Sequence, residues 1–394
     1  MFYCGIDVAK RQHVVALLDE NGQKMQPVFA ISNDRAGFDR LIQALPGVDT
    51  VMVALEATGH YWLALYDLLT HQGYRVVVLN PLQVAAFRRS GVRKVKNDRS
   101  DAVWIGDFVR IANPSPTRQD IPALLQLREL SRFRFHLSEQ IGDIKRKLLT
   151  ILDRVFPEYE QLFSSVFLQA SRALLEQAVS AQEVAEMDLQ ELEILLHDAS
   201  RGRFGREKAQ QIHAQAVQSV GVGFLADAAG IEMRCLLAQI ELLEQQRDQI
   251  DAVLETLMSQ IPQHITSVPG IGPATGAAIV GEIGDISRFD SPEKLVAYAG
   301  IDPSVYQTGQ FQASEAHMSK RGSPYLRHAV WQAATVAIQH DPELQAYYTR
   351  KREEGKHHGT ALGAVCRKLL GRIYIVLKEQ RPYIARPITS CPAT

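Results

Sequence analysis

Two long stretches of the sequence place hydrophobic residues at alternating steps of three and four, and this pattern limits the possible folds more than any other feature. The first covers residues 127–155 and ends before Pro157, and the second covers residues 233–261 and ends before Pro262. A seven-residue repeat of this length predicts two long helices packed along one seam, because such spacing keeps one face of a helix apolar. We expect an antiparallel hairpin or an oligomerisation stalk.

The first 80 residues have a different pattern, in which short β-rich runs alternate with helical stretches. Three strands are predicted in FYCGIDVA, HVVALLDE and KMQPVFAIS, with a tight hairpin turn at Asn21-Gly22 between the second and third. A helix over residues 34–45, a strand in VMVALEA, a helix over residues 60–71 and a strand in RVVVLN follow. Three antiparallel strands followed by αβαβ are typical of an RNase H-like domain, which a helix over residues 96–112 would complete.

The predicted fold class is therefore α/β plus all-α, in four parts. They are an RNase H-like N-terminal domain at residues 1–115, a helical coiled-coil region at 121–262, a mostly helical C-terminal domain at 263–385 and a tail at 386–394. An irregular helical insertion occupies residues 158–232. Each heptad seam carries one arginine, Arg134 or Arg247, which either fixes the register of the helix pair or extends its charge to solvent.

Composition excludes several classes of protein. A hydrophobic content of 46% is too high for a disordered or fibrous chain. The net charge is -1, so an anionic partner must be bound by local patches. The four cysteines are widely separated, which argues against a disulfide framework or a zinc site and fits a reducing cytosol. Because the chain begins with a strand-like segment and has no membrane-length apolar run, we expect a soluble intracellular protein without a membrane partner.

Four acidic residues carry the strongest chemical prediction. Asp7 and Glu56 each lie at the C-terminal end of a predicted strand, and Asp98 and Asp101 lie in the first turn of a predicted helix. Four carboxylates at one edge of a sheet require cations, and oxygen ligands without Cys or His select Mg²⁺ or Mn²⁺. Such a site suits nuclease or strand-transfer chemistry at a phosphodiester. Individually, these residues could instead cap turns or interact with a helix dipole.

A glycine turn and two basic clusters suggest contact with nucleic acid. The turn is PGIG, in which Gly270 and Gly272 would offer backbone N–H groups to a phosphate, although such turns are also plain connectors. The basic residues lie in two groups: Arg88, Arg89, Arg93, Lys94, Lys96 and Arg99, then Lys320, Arg321, Arg327, Arg350, Lys351, Arg352, Lys356, Arg367, Lys368 and Arg372. They predict phosphate contacts, with a solvated basic face as the alternative.

The motifs together resemble one family. GIDVAK, ALEATGHYW, KNDRSDA, SVPGIGPATGAAIVGEIG, AYAGIDPSVYQTG and MSKRGSPYLRHA are similar to segments of the DEDD transposases of the insertion-sequence 110 class, which are related to Piv-type DNA invertases and known as bridge-RNA-guided recombinases. The resemblance covers most of the chain. It implies that Asp7, Glu56, Asp98 and Asp101 are the DEDD carboxylates that bind Mg²⁺ in a RuvC-like domain.

The resemblance also implies a hydroxyl nucleophile in the C-terminal domain. The family has a serine in a YxSG-like segment, and this chain has Thr308 at that position, followed by Gly309. Ser304, Tyr306, Ser314 and Ser319 are reserve candidates. Attack by Thr308 would give a covalent 5′-phospho-enzyme link. The implied partners are double-stranded DNA at the element ends and target, a noncoding guide RNA, and further copies of the chain as a dimer that becomes a tetramer on DNA. The implied location is the prokaryotic cytoplasm, with nucleoid association during activity.

Two other functions compete with strand exchange. One is an RNase H-like nuclease, such as a Holliday-junction resolvase, in which metal-activated water is the nucleophile. The other is a non-catalytic nucleic-acid-binding protein derived from a decayed element. A covalent protein–DNA adduct that depends on Thr308 separates recombinase from nuclease, and strand cleavage that depends on Asp7 excludes the third function.

Overall fold

A computed structural model describes residues 1–57, 59–79, 84, 87, 98–117, 122–303, 307–308, 311–312 and 318–385. The chain folds as two compact units, Met1–Gln119 and Asp120–Thr394. The first contains a mixed α/β sheet, and the second is mostly helical. None of the helices in the described part of the chain combines the length and apolar composition needed to cross a bilayer.

A five-stranded sheet forms the centre of the first unit, within the residues described. Its strands, in chain order, are β1 (Phe2–Asp7), β2 (Gln12–Leu18), β3 (Phe29–Ser32), β4 (Val51–Glu56) and β5 (Arg75–Leu79). Their order across the sheet is β3-β2-β1-β4-β5. The β1–β2 and β2–β3 pairs are antiparallel, whereas β1–β4 and β4–β5 are parallel. This is the predicted order of three antiparallel strands followed by two more strands.

The third strand is shorter than predicted. A tight turn follows β2, as predicted. In this turn Gly22 has φ +81° and its N–H donates to the carbonyl of Asp19. Lys24 then forms an isolated bridge with Leu18, but regular pairing begins only at Phe29. Pro27 interrupts the predicted run, and its missing N–H makes it a poor residue for a paired strand.

Helices cover both faces of this sheet. They are α1 (Arg35–Ala44), α2 (Leu63–His71) and α3 (Asp98–Ala112). Side chains alternate between the faces, so Cys4 and Ile6 join one hydrophobic cluster, whereas Tyr3, Met52 and Ala54 join the other. The second cluster includes residues of α3. Alternation therefore places Asp7 and Glu56 on the face covered by α3, as the sequence predicted.

Two glycines allow α3 to lie directly against β1. A Cβ added to Gly5 would stand 2.1 Å from the carbonyl oxygen of Ala102 and 2.3 Å from the nitrogen of Gly106. Only a residue without a side chain fits this contact. Backbone-to-backbone packing thus brings the first turn of α3 close to the strand that carries Asp7.

Two antiparallel helices organise the second unit. They are α4 (Pro122–Val155) and α9 (Ala226–Ser259), and they pack along the predicted seams. The guanidinium of Arg134 donates to both carboxylate oxygens of Asp251, and Arg154 donates to Glu232 near the other end. Arg134 therefore links the two helices and fixes their register. Arg247 instead pairs with its neighbour Asp248.

The outer half of this helix pair carries a hydrophobic cluster formed with residues 157–232. The helices of this insertion are a 3₁₀ turn (Pro157–Gln161), α5 (Gln169–Gln177), α6 (Ala181–Glu186), α7 (Leu189–Ala199), α8 (Arg206–Val217) and a 3₁₀ turn (Gly223–Leu225). A bidentate contact from Arg172 to Glu244, at 2.7 and 2.9 Å, joins this insertion to α9. The segment that appeared irregular in sequence is thus a packed helical subdomain.

The inner half of the helix pair packs against the C-terminal helices in a second cluster. These elements are two 3₁₀ turns (Ile265–Ser267 and Ile286–Arg288), α10 (Pro273–Ile283), α11 (Pro292–Ala299), α12 (Pro324–His340), α13 (Pro342–Glu353) and α14 (His358–Glu379). Between α11 and α12 the backbone forms two short antiparallel strands, β6 (Gln307–Thr308) and β7 (Phe311–Gln312).

Candidate active site

The first group of candidate residues lies at one edge of the sheet. Asp7 ends β1 and Glu56 ends β4, and these strands are parallel neighbours in which Ile6 is paired with Leu55. The two carboxylates therefore leave the sheet at the same edge. Asp98 and Asp101 both lie in the first turn of α3, the helix packed on β1.

The electrostatics of Asp7 indicate that the other three carboxylates are near enough to act on it. The pKa of Asp7 is raised from 3.8 to about 7, first by burial and then by the negative charges of Asp98, Glu56 and Asp101. A hydrogen bond from the backbone of Val8 opposes this shift. The negative charges around half-buried Asp7 therefore favour its protonated form or a bound cation.

The donor set fits a hard divalent cation. All four side chains offer carboxylate oxygens, the ligands that Mg²⁺ and Mn²⁺ prefer. Over the described residues, however, no three His, Cys, Asp or Glu side chains are gathered tightly enough to hold a metal ion. Asp7, Glu56, Asp98 and Asp101 are the residues that would hold the ion.

The predicted nucleophile lies in the second unit. Thr308 is the last residue of β6, and its backbone is paired with that of Phe311 at the end of the hairpin. At the hairpin's base, Pro303 bridges to Met318 and the hydroxyl of Ser319 donates to Asp302. Ser319, a reserve candidate, is thus engaged at the base. Ser304, Tyr306, Gly309 and Ser314 lie outside the described residues.

The two glycines of PGIG have different surroundings. Gly270 has φ +88°, and an added Cβ would stand 2.4 Å from the carbonyl of Ala333 on α12, so this glycine is needed for packing. Gly272 is exposed and is the N-cap of α10, where no side chain caps the helix. Backbone contact with a phosphate stays a prediction, and Gly272 is the better placed of the pair to make it.

The basic residues divide into exposed and internally bonded groups. Lys320 and Arg321 are exposed next to the hairpin's base. By contrast, Arg327 donates to the carbonyl of Ala299 at 3.2 Å, and Arg372 is paired with Asp341 and Glu343. Those two arginines therefore have structural partners. The predicted contacts Arg93, Lys94 and Lys96, together with Arg88 and Arg89, lie outside the described part of the chain.

One buried carboxylate was missed in the sequence. Glu282 on α10 is 1% exposed and is held by Arg132, with Nε–Oε1 at 2.6 Å and Nη2–Oε2 at 3.2 Å. The hydroxyl of Ser323 also donates to it at 2.7 Å. The sequence did carry a signal, which is the single charge inside the apolar run GAAIVGEIG. Because buried charges are almost always paired, such a charge predicts a partner elsewhere in the chain.

Comparison with known proteins places both units in one family. A DEDD transposase model of the IS110 class matches residues 4–157, and the model described as "Transposase IS116/IS110/IS902 family" matches residues 262–349. The two matched regions are thus similar to parts of DEDD-class transposases. Within that class, the chain belongs to the IS110 family.

Full-length relatives support this membership. A mini-circle putative transposase for IS117 from Streptomyces coelicolor is 26% identical, with 97% of this chain and 95% of the relative covered. An insertion element IS116 protein from Streptomyces clavuligerus is 25% identical over 98% of this chain and 96% of its own length. The pilin gene-inverting protein of Moraxella lacunata is 22% identical over 98% of both chains.

Proposed function

We propose that this protein is a DNA recombinase that moves an insertion sequence by strand exchange through a covalent link to Thr308. The observation that carries the proposal is the convergence of Asp98, Glu56 and Asp101 on Asp7, expressed in the raised pKa of Asp7. Family membership and the hairpin position of Thr308 support it further.

The architecture we infer is RNase H-like, of the RuvC type, in the first unit. The strand order β3-β2-β1-β4-β5 with acidic residues at the ends of β1 and β4 supports this assignment. We further infer that α4 and α9 form an antiparallel coiled coil, which the Arg134 to Asp251 contact supports. The proposed domains remain residues 1–115, 121–262 and 263–385.

The carboxylates give this site a metal requirement. A divalent cation supplies positive charge that polarises the scissile phosphate. Asp7, Glu56, Asp98 and Asp101 would hold that cation, and the repulsion of Asp7 by the other three carboxylates favours its binding. Burial and the neighbouring negative charges raise the pKa of Asp7 to about 7, so a cation that binds there would favour its ionised form.

A covalent link between Thr308 and the 5′-phosphate would conserve the energy of the broken phosphodiester bond. The hydroxyl oxygen of Thr308 attacks phosphorus, the bond from phosphorus to the 3′-oxygen breaks, and the proton lost by Thr308 balances the proton gained by the leaving oxygen. Attack by another 3′-hydroxyl reverses these changes and joins new strands. No nucleotide cofactor enters this balance, because each step exchanges one phosphodiester for another.

The partners we propose are double-stranded DNA and a noncoding guide RNA that pairs with it. Lys320 and Arg321 are exposed beside the hairpin and are the described cations best placed to contact phosphates there. We propose a homodimer through the helix pair, and a tetramer when both DNA partners are bound. The guide RNA is tested by expressing the protein beside its native flanking DNA and sequencing the RNA that copurifies. One discrete RNA encoded beside the gene supports a guide, whereas a random RNA population argues against it.

The deciding experiment detects a protein–DNA adduct after denaturation. Wild type and Thr308→Ser should form it with element-end DNA and Mg²⁺, whereas Thr308→Ala should not. Thr256→Ala is the matched control, since Thr256 is an exposed threonine on α9. Cleavage by Thr308→Ala without an adduct would instead identify a nuclease that uses activated water.

A further inference from the structure

Both ends of the segment that carries Thr308 are bonded to one residue, Glu282. Before the segment, the hydroxyl of Tyr298 on α11 donates to the backbone carbonyl of Glu282 at 3.2 Å. After it, the hydroxyl of Ser323 donates to the Glu282 carboxylate at 2.7 Å. Ser323 is the N-cap of α12, and its N–H donates to the carbonyl of Tyr298. These bonds close a ring at the base of the segment.

The carboxylate is itself fixed from a third direction. Arg132 on α4 donates both Nε and Nη2 to Glu282, and its guanidinium lies 4.8 Å from the ring centre of Tyr325. A bidentate contact restricts orientation as well as distance. Glu282 therefore joins α4, α10 and the start of α12 through one side chain.

The chain between Tyr298 and Ser323 has little freedom at its base. A Cβ added to Gly322 would stand 1.9 Å from the carbonyl of Tyr298, so the two strands of chain touch at their backbones. Lys320 donates its N–H to Gly300, and Ser319 donates its N–H to Asp302. The direction set at Glu282 is thus passed outward along a paired base toward the hairpin.

Stability alone gives a weak reason for this arrangement. A buried ion pair is often no more stabilising than hydrophobic residues of the same size. What the pair adds here is a defined geometry at the root of the Thr308 segment, which an apolar contact would hold less strictly.

We propose that Glu282 is a positioning residue for the nucleophile: it fixes the base of the hairpin so that Thr308 meets the scissile phosphate. The proposal rests on the function proposed above for Thr308. Glu282 does not touch the reacting atoms. Its effect is on the rate of attack rather than on DNA affinity.

The test uses the full-length protein with Glu282→Gln. An amide keeps the size of the side chain, but because Arg132 donates to both carboxylate oxygens, either orientation of the amide turns its NH₂ group toward a donor nitrogen of Arg132. Glu244→Gln is the matched control, because it breaks the other bidentate arginine contact, with Arg172, in the outer cluster. Tyr298→Phe is the second variant and serves if Glu282→Gln does not fold. It removes only the hydroxyl that donates to the Glu282 carbonyl, so the fold should be kept.

Two measurements are made on each variant. The first is the rate of adduct formation at saturating DNA; we expect a loss of about 100-fold in Glu282→Gln, the size typical of a 1 Å misplacement. DNA affinity should stay within about threefold, since only a transition-state contact is affected. The second is hydrogen exchange, in which the amides of Ser319, Lys320 and Ser323 should exchange about tenfold faster.

Each outcome decides the proposal. Faster exchange with a lost rate and retained affinity supports it, and Tyr298→Phe should show the same changes to a smaller extent. The proposal is overturned if Glu282→Gln forms the adduct at the same rate as Glu244→Gln. It is also overturned if the rate of adduct formation falls while the hydrogen exchange of these amides is unchanged. If wild type forms no adduct, the function of Thr308 fails separately, and unchanged exchange still overturns the role of Glu282 at the base.

Discussion

The two units treat buried carboxylates in opposite ways. Around Asp7, three other acidic residues add negative charge, and the chain provides no described cation that lowers the pKa of Asp7. Around Glu282, an arginine and a hydroxyl satisfy both carboxylate oxygens. The comparison teaches that burial of a carboxylate is not by itself a mark of function. A carboxylate surrounded by other carboxylates indicates a place that an external cation can stabilise, whereas a carboxylate compensated by an arginine indicates a structural joint.

The largest expected effect breaks the compensated site. Glu282→Ala should lower the free energy of unfolding of the second unit by about 3 kcal/mol, because Arg132 and Ser323 lose their shared acceptor in a buried place. Urea unfolding followed by circular dichroism measures this. Glu244→Ala, which removes a more exposed partner of Arg172, should cost about 1 kcal/mol. Equal losses in the two variants would contradict the special burial of Glu282.

The next effect concerns the contact that forces the acidic residues together. Gly5→Ala should lower the free energy of unfolding of the first unit by about 3 kcal/mol, because the new methyl group collides with backbone atoms of α3. Gly47→Ala is the control, since its nearest neighbour would be 3.9 Å away. The urea midpoint of each variant decides the matter. An unchanged free energy of unfolding in Gly5→Ala would show that α3 does not lie against β1.

A cation should stabilise the acidic edge of the sheet, because Asp7 is repelled there by neighbouring carboxylates. At ten times its dissociation constant, Mg²⁺ should raise the free energy of unfolding of the first unit by about 1.4 kcal/mol, because it binds only the folded carboxylates. Glu56→Gln should reduce this increase by removing one charge. Thermal melting with and without EDTA is the measurement, and Asp39→Asn, on the exposed surface of α1, serves as the control. The same Mg²⁺ response in Glu56→Gln would remove Glu56 from the site.

The smallest effect depends on pH. Asp7 has a pKa of about 7 in the folded chain and 3.8 as its ordinary value, so its ionisation destabilises the fold progressively from about pH 4 to pH 7 and fully above that. Without divalent cations, Asp7→Asn should therefore be more stable than wild type at pH 8, by about 1 kcal/mol after solvent screening of this half-exposed group. The difference should vanish at pH 4. Melting curves at both pH values test the sign.

Much of the fold follows from sequence periodicity. Helix α1 was expected at residues 34–45 and occupies Arg35–Ala44, and the two heptad seams became α4 and α9. Local hydrophobic patterns identify such elements because each buries one face. The insertion at residues 158–232 could not be assigned in the same way. Its helices are short and each buries only two to four residues, so no extended apolar stripe marks them.

The sequence predicted the candidate residues of the site but not the backbone contacts that position them. Strand alternation identified Asp7 and Glu56 as residues of one edge. The tight crossing at Gly5 was not predicted, because a glycine in a strand gives no indication of which backbone will approach it. Charge counts also did not show that Arg327 and Arg372, predicted as phosphate contacts, are bonded to carbonyl and carboxylate groups within the chain; their contact with phosphate stays a prediction. Only tertiary contacts separate free cations from bonded ones.

The helix pair formed by α4 and α9 has a hydrophobic cluster at each half, and Leu243, partly buried, is in contact with both. Each half can therefore accumulate substitutions largely on its own. Over evolution, residues 158–225 can be lengthened, shortened or repacked without disturbing the helices that support the Thr308 hairpin, provided that the register set by Arg134 and Asp251 is kept. A long helix pair of this kind keeps a change of packing in one cluster from spreading to the other.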